Sequence, residues 1–175
     1  MLILFNKPFN VLCQFTDKEG RSTLSDLISF KNVYAAGRLD YDSEGLVILT
    51  DDGILQNLIS DPAHKLEKTY WVQVERTPDE ESLNKLRKGI PLKDGLTKPA
   101  KVKLIEEPKV WERVPPIRLR KNIPTNWIEL KIAEGKNRQV RRMTAAIGYP
   151  TLRLIRYSID DWTIDNIKPG EYTII

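Results

Sequence analysis

Cysteine and histidine are almost missing from this chain: Cys13 and His64 stand alone among 175 residues. A single cysteine excludes an internal disulfide and fits a reducing compartment. It also leaves no Cys/His cluster for zinc, and His64 is too isolated to anchor a Ser/His/Asp set. Long apolar runs are missing as well. No window approaches the roughly 18 consecutive apolar residues of a membrane span, and Met1 leads into a strand-like run without the basic segment of a secretion signal. The expectation is a soluble, cytoplasmic protein. Neither a phosphate-cradling Gly-Lys-Ser/Thr loop nor a dinucleotide-binding Gly-x-Gly-x-x-Gly occurs. With no metal and no cofactor expected, any chemistry falls to ordinary side chains.

What the chain does have is unevenly placed charge. The formal net charge is only +4. Between Lys109 and Arg156, however, twelve Lys or Arg face three acids, whereas from Asp17 to Asp61 nine acids face four bases. Such an asymmetry suits a nucleic-acid groove with a carboxylate set into its wall, and it equally suits a solvated basic face. The length is that of about one domain, 1–175, with a core able to bury roughly two-thirds of its surface.

Strand and helix signals mix without regular alternation. Leu2–Phe5, Val11–Phe15, Leu46–Thr50, Tyr70–Glu75, Ala100–Ile105, Trp127–Ile132, Leu152–Ile159 and Tyr172–Ile175 read as strands. A Ser22/Thr23 cap opens a short helix through Leu24, Leu27 and Ile28, and Ile54, Leu55, Leu58 and Ile59 mark another that stops before Asp61-Pro62. Thr77-Pro78-Asp79-Glu80 predicts a capping box with proline at the first helical position, on a helix that Gly89 ends. Gly135 and Asn137 predict a helix start, with Val140, Met143 and Ile147 on one apolar stripe before Gly148. At 100° per residue, Arg138, Arg141 and Arg142 then fan over about 100° of the opposite face. Residues 108–126, with four of the eleven prolines and with Arg113, Arg118, Arg120 and Lys121, read as a long basic loop able to grip phosphates, or as a solvated connection. Together these predict an α+β fold with a mixed, largely antiparallel sheet and flanking helices.

Residues 37–53 are the most specific segment: Gly37-Arg38-Leu39-Asp40, then Tyr41, Asp42, Ser43, Glu44 and Gly45, an apolar run from Leu46 to Leu49, and the turn Asp51-Asp52-Gly53. This pattern resembles the signature of the pseudouridine synthases of the RsuA type, with Ser43 where threonine is usual. The resemblance covers the whole chain. It implies the pseudouridine synthase fold with a central RNA-binding cleft, and cofactor-free isomerisation of uridine in RNA, with 23S ribosomal RNA, that of the large subunit, as the expected substrate. The alternatives are a transfer-RNA target or a non-catalytic RNA-binding or ribosome-assembly factor. An intact Arg38-Leu39-Asp40 together with Arg141 opposes the non-catalytic reading. Family members often carry an N-terminal S4 RNA-binding domain. Leu2 already begins the catalytic part here, so the expectation is that this domain, as a monomer, binds RNA alone.

The isomerisation needs an ionised carboxylate near the sugar, acting as nucleophile at C1′ or as base at C2′. Asp40 is the candidate that the resemblance selects. A carboxylate buried under a base keeps its charge only beside a cation, and the family motif puts that cation two positions after the glutamine, at Arg141. Arg138 and Arg142 are expected on RNA phosphates. Lys68-Thr69-Tyr70 matches a family Lys-x-Tyr, which implies that Tyr70 stacks on the flipped uracil and has a part in the proton lost from C5. By composition alone Tyr70 equally suits the core, beside Val72 and Val74. Leu154 and Arg156 match a late Leu-x-Arg motif, the leucine against the uracil and the arginine supporting the site. Arg38 is expected to hold a phosphate or to fill the space left by the extruded base. Cys13 reads as strand core rather than nucleophile.

Overall fold

The computed structural model describes residues 1–175. Its elements run β1 (Leu2–Lys7), β2 (Tyr34–Ala36), β3 (Glu44–Thr50), α1 (Gly53–Ser60), β4 (Lys68–Glu75), α2 (Glu80–Lys88), β5 (Pro91–Leu92), β6 (Gly95–Leu96), β7 (Lys101–Ile105), β8 (Thr125–Ile132), α3 (Gln139–Ala146), β9 (Thr151–Ile159), β10 (Trp162–Thr163) and β11 (Tyr172–Ile174). Short 3-10 turns lie at Leu24–Asp26 and Pro62–His64. The chain divides into two compact units, Met1–Leu66 with Ile155–Ile175, and Glu67–Leu154.

In the first unit β3 is the central strand, and every one of its seven residues is buried. An apolar run without alternation belongs to a strand covered on both faces, and Leu46 to Leu49 supply that run. β1 lies antiparallel along the whole of β3, from Leu2 opposite Thr50 to Lys7 opposite Gly45, and β11 adds to the far side of β1. β2 pairs antiparallel with the end of β3, while residues Ile155 and Arg156 of β9 run parallel to its start. Ile3, Phe5, Val11, Cys13, Leu24, Ile28, Val33, Leu39, Val47 and Leu49 form the core. Cys13 is thus core, as expected, but Val11–Phe15 is not a strand: Leu12 makes one isolated bridge to Thr23 and the rest is irregular. The backbone groups of this segment are spent on the Ser22–Leu24 corner instead, through Leu12 N to Ser22 O and Leu24 N to Gln14 O.

In the second unit β8 lies between β4 and β7, antiparallel to both. Tyr70, Val72 and Val74 of β4, Ile128, Leu130 and Ile132 of β8, Leu83 and Leu86 of α2, and Val140 and Met143 of α3 close one core. The expected α2 is present and Gly89 ends it at φ +97°. Its cap is Asp79 rather than Thr77, with the Asp79 carboxylate accepting from Ser82 N. The Thr77 hydroxyl instead accepts from Asn126 Nδ2 at 2.8 Å, so Pro78 precedes the cap and does not open the helix. The α+β expectation holds, with the pairing of β3 beside β9 the parallel element of otherwise antiparallel strands within the units.

Candidate active site

Asp40 sits in the loop between β2 and β3, and the first unit holds this loop from three sides. Gly37 opens it at φ +81°, a left-handed conformation that side chains other than glycine adopt with strain. Leu39 points into the core, which places Asp40, the next residue, half-buried. Ser43 N donates to Asp40 O at 3.1 Å and Asn10 N to Tyr41 O at 2.9 Å, so the turn is tied both to itself and to the chain after β1.

Two buried cations complete the hold. Arg156 is 3% exposed and donates from Nε to Leu46 O at 2.9 Å, from Nη1 to Arg38 O at 3.4 Å and from Nη2 to Gly37 O at 3.3 Å. One guanidinium therefore spans the loop's entrance and the strand that leaves it. The close approach depends on Gly45, where an added Cβ would stand 2.3 Å from Arg156 O. Lys7 is fully buried, and its three ammonium hydrogens meet three carbonyls: Pro8 O and Val11 O at 2.8 Å each, and Tyr41 O at 3.4 Å. Burial pulls its pKa down to about 8, against the opposing influence of Cys13, Glu44, Asp42 and Asp40. The Arg156 guanidinium is thus directed at the loop's main chain. Lys7 carries no local sequence signal of this role, because two of its acceptors come from residues 4 and 34 positions away.

Arg38 is exposed and donates from Nη2 to Gln14 Oε1 at 2.8 Å, while Gln14 Nε2 donates to Thr16 O at 2.7 Å. The guanidinium is held at the surface by one neutral partner, a bond that an incoming anion can outcompete.

The second unit carries the remaining candidates. Tyr70 and Leu154 are brought together in its core, 8% and 5% exposed, with Val140 and Met143. The arginine segment differs from the expectation. α3 begins at Gln139, and Arg138 is its cap in the left-handed conformation, φ +50° and ψ +33°. Arg138 is therefore off the helical face shared by Arg141 and Arg142, and it is exposed. A buried brace sets this turn: Gln139 Nε2 donates to Glu134 Oε2 at 2.6 Å, the same oxygen accepts from Lys98 N at 3.1 Å, and Gln139 Oε1 accepts from Lys136 N. Arg141 is half-buried. Arg142 forks onto Asp94, Nη1 to Oδ1 at 2.7 Å and Nη2 to Oδ2 at 3.1 Å, with Nε on Asn137 O. In the long loop after β7, Arg113 donates to Pro115 O, Pro116 O and Leu152 O, and Arg120 pairs with Glu75 on β4. Arg118 and Lys121 are exposed. Of four basic residues expected to grip phosphates, two are thus engaged within the protein. Asp94 is a residue that sequence reasoning missed, although Asp94-Gly95 shortly after Ile90-Pro91-Leu92 is a turn signal.

Residues 1–146 match the family described as RNA pseudouridylate synthase. The chain belongs to that family. As an RNA pseudouridylate synthase it is an isomerase acting on RNA, converting uridine to pseudouridine. It is 60% identical over 171 residues to a protein of Vibrio parahaemolyticus named ribosomal large subunit pseudouridine synthase E, covering 98% of this chain and 72% of that one. A protein of the same name from Xanthomonas axonopodis pv. citri is 55% identical over 172 residues, covering 97% and 90%. A solved pseudouridylate synthase superposes with a TM-score of 0.82 at 30% identity, covering 99% of this chain and 69% of that one. A Yersinia pestis relative named ribosomal small subunit pseudouridine synthase A is 36% identical over 175 residues, so the resemblance read from residues 37–53 lies within the right family. No helix is long and apolar enough to cross a membrane.

Proposed function

We propose that this synthase isomerises a uridine of large-subunit ribosomal RNA, with Asp40 as the reactive carboxylate. The substrate follows from the names of the relatives at 60% and 55% identity. The observation that carries the role of Asp40 is the construction of its loop, in which Lys7 and Arg156 spend six hydrogen bonds on main-chain carbonyls around a half-buried carboxylate. A group held to within a fraction of an ångström by its support is what covalent or acid–base chemistry requires.

The reaction breaks the bond from C1′ to N1, turns the uracil, and joins C1′ to C5. The hydrogen on C5 leaves as a proton and N1 gains one, so composition is unchanged. Asp40 serves either by attacking C1′ or by taking the C2′ proton. Arg141 is the cation we assign to it, on the spacing of the family motif. Tyr70 and Leu154 are assigned to the faces of the uracil; their common cluster in the second unit supports that pairing. Arg38 and Arg138 are exposed enough to meet phosphate or to replace the extruded base. We further propose that the protein works as a cytoplasmic monomer. Mapping pseudouridines in ribosomal RNA from cells with and without this protein tests the substrate. One large-subunit position should lose its pseudouridine, and an unchanged large-subunit map would overturn the assignment.

A further inference from the structure

Asp94 stands in the tight turn between β5 and β6, flanked by Lys93 and Gly95. Both of its carboxylate oxygens accept from the two terminal nitrogens of Arg142, at 2.7 and 3.1 Å. The Nε of the same guanidinium is on Asn137 O at 2.9 Å, within the turn that leads into α3. Lys136, from that turn, lies over the hairpin as well, its ammonium 3.6 Å from where a Cβ on Gly95 would be. The Asp94 carboxyl is held below its ordinary value first by the Arg142 hydrogen bonds, with Lys136 adding to the effect. This is the parallel two-bond fork that guanidinium also offers a phosphodiester. The side chains remain 31% and 47% exposed, and an ion pair open to water at that level is weak and readily exchanged.

We propose that Asp94 fills the anion seat of Arg142 in the free protein and that an RNA phosphate displaces it on binding. The proposal rests on the reading of residues 134–142 as an RNA contact. Its consequence is selectivity. Every RNA that uses the seat displaces the tethered carboxylate at the same cost, so an RNA with few other contacts loses useful occupancy first, while one with many stays bound. Asp94 is then a specificity-determining residue, acting against unrelated RNA rather than for the true substrate.

The test compares binding of a transcript of large-subunit ribosomal RNA and of an unrelated RNA of equal length, each over a series of salt concentrations. The proteins are wild type, Asp94→Asn, Arg142→Ala, Arg138→Ala and the Asp94→Asn/Arg142→Ala double variant. Asparagine is nearly isosteric with aspartate, so the hairpin is kept. Asp94→Asn should bind the unrelated RNA roughly threefold to tenfold more tightly, the scale of a surface ion pair. It should gain a similar factor on the ribosomal transcript, and its salt slope should steepen by about one. The gain should vanish in the double variant. Equal or weaker binding by Asp94→Asn, or a gain that survives removal of Arg142, overturns the seat. If wild-type binding is insensitive to salt and Arg138→Ala leaves it unchanged, the reading of 134–142 as an RNA contact fails first, an outcome distinct from silence of Asp94→Asn alone.

Discussion

The Asp40 loop and the arginine segment use cations in opposite ways. Around Asp40 the charges of Lys7 and Arg156 are buried and directed at main-chain carbonyls. Along the arginine segment Arg142 lies on a carboxylate and stays partly open to water, and Arg138 is exposed at a helix cap. A buried cation cannot be removed without leaving its acceptors unsatisfied and so acts as a permanent brace. An exposed one exchanges partners with little change in stability and is available to a polyanion. Rigidity is thus concentrated around Asp40, and exchangeability along the arginine segment.

The sharpest way to break this contrast is Arg156→Met, which strips three carbonyls of a donor that is only 3% exposed. Stability should fall by roughly 3 kcal/mol, the order expected when hydrogen bonds to a buried charged group are lost. A denaturant midpoint near wild type would show that Arg156 is not a brace.

Lys7→Met sharpens the comparison through pH. The folded pKa of about 8 lies below the ordinary value of 10.5. Between those values the unfolded chain binds more protons at this position than the folded one, so wild-type stability, relative to Lys7→Met, should rise from pH 8 to 10.5 and be constant below pH 8. The difference should reach about 3 kcal/mol at most. Parallel stability–pH curves for the two proteins would mean that Lys7 is not desolvated.

The smallest stability effect belongs to the second unit. Arg138→Ala should leave the unfolding midpoint close to wild type and flatten the dependence of RNA affinity on salt by about one contact. A marked loss of stability with an unchanged salt slope would reverse the assignment and make Arg138 a structural cation like those of the first unit.

Much of this fold is legible in the sequence because it follows local periodicity. The unbroken run Leu46–Leu49 announces a strand buried on both faces, and Gly89 announces a helix end that only a glycine accepts readily at φ +97°. The Asp40 signature is legible too, as a resemblance carried by seventeen residues rather than by spacing alone. What is not legible depends on partners distant in sequence. Lys7 looks like the polar end of a strand, because its acceptor Tyr41 O comes from 34 residues on. Arg138 falls on a helical face in the sequence because Gly135 and Asn137 are good starters. The buried Glu134–Gln139 brace moves the start to Gln139 and turns Arg138 into a left-handed cap. Thr77 loses the cap of α2 to Asp79 through a contact with Asn126 that local sequence does not carry.

Asp40 is proposed to perform the isomerisation and is not needed to build the protein. Joining C1′ to C5 expels the hydrogen on C5, so RNA labelled with tritium at uridine C5 reports each turnover as tritium released to water. The wild-type protein should release one tritium per modified uridine. Asp40→Asn, matched for folding by circular dichroism and for RNA affinity by filter binding, should release none. Release by Asp40→Asn within tenfold of wild type, a barrier change of only about 1.4 kcal/mol, would contradict the account.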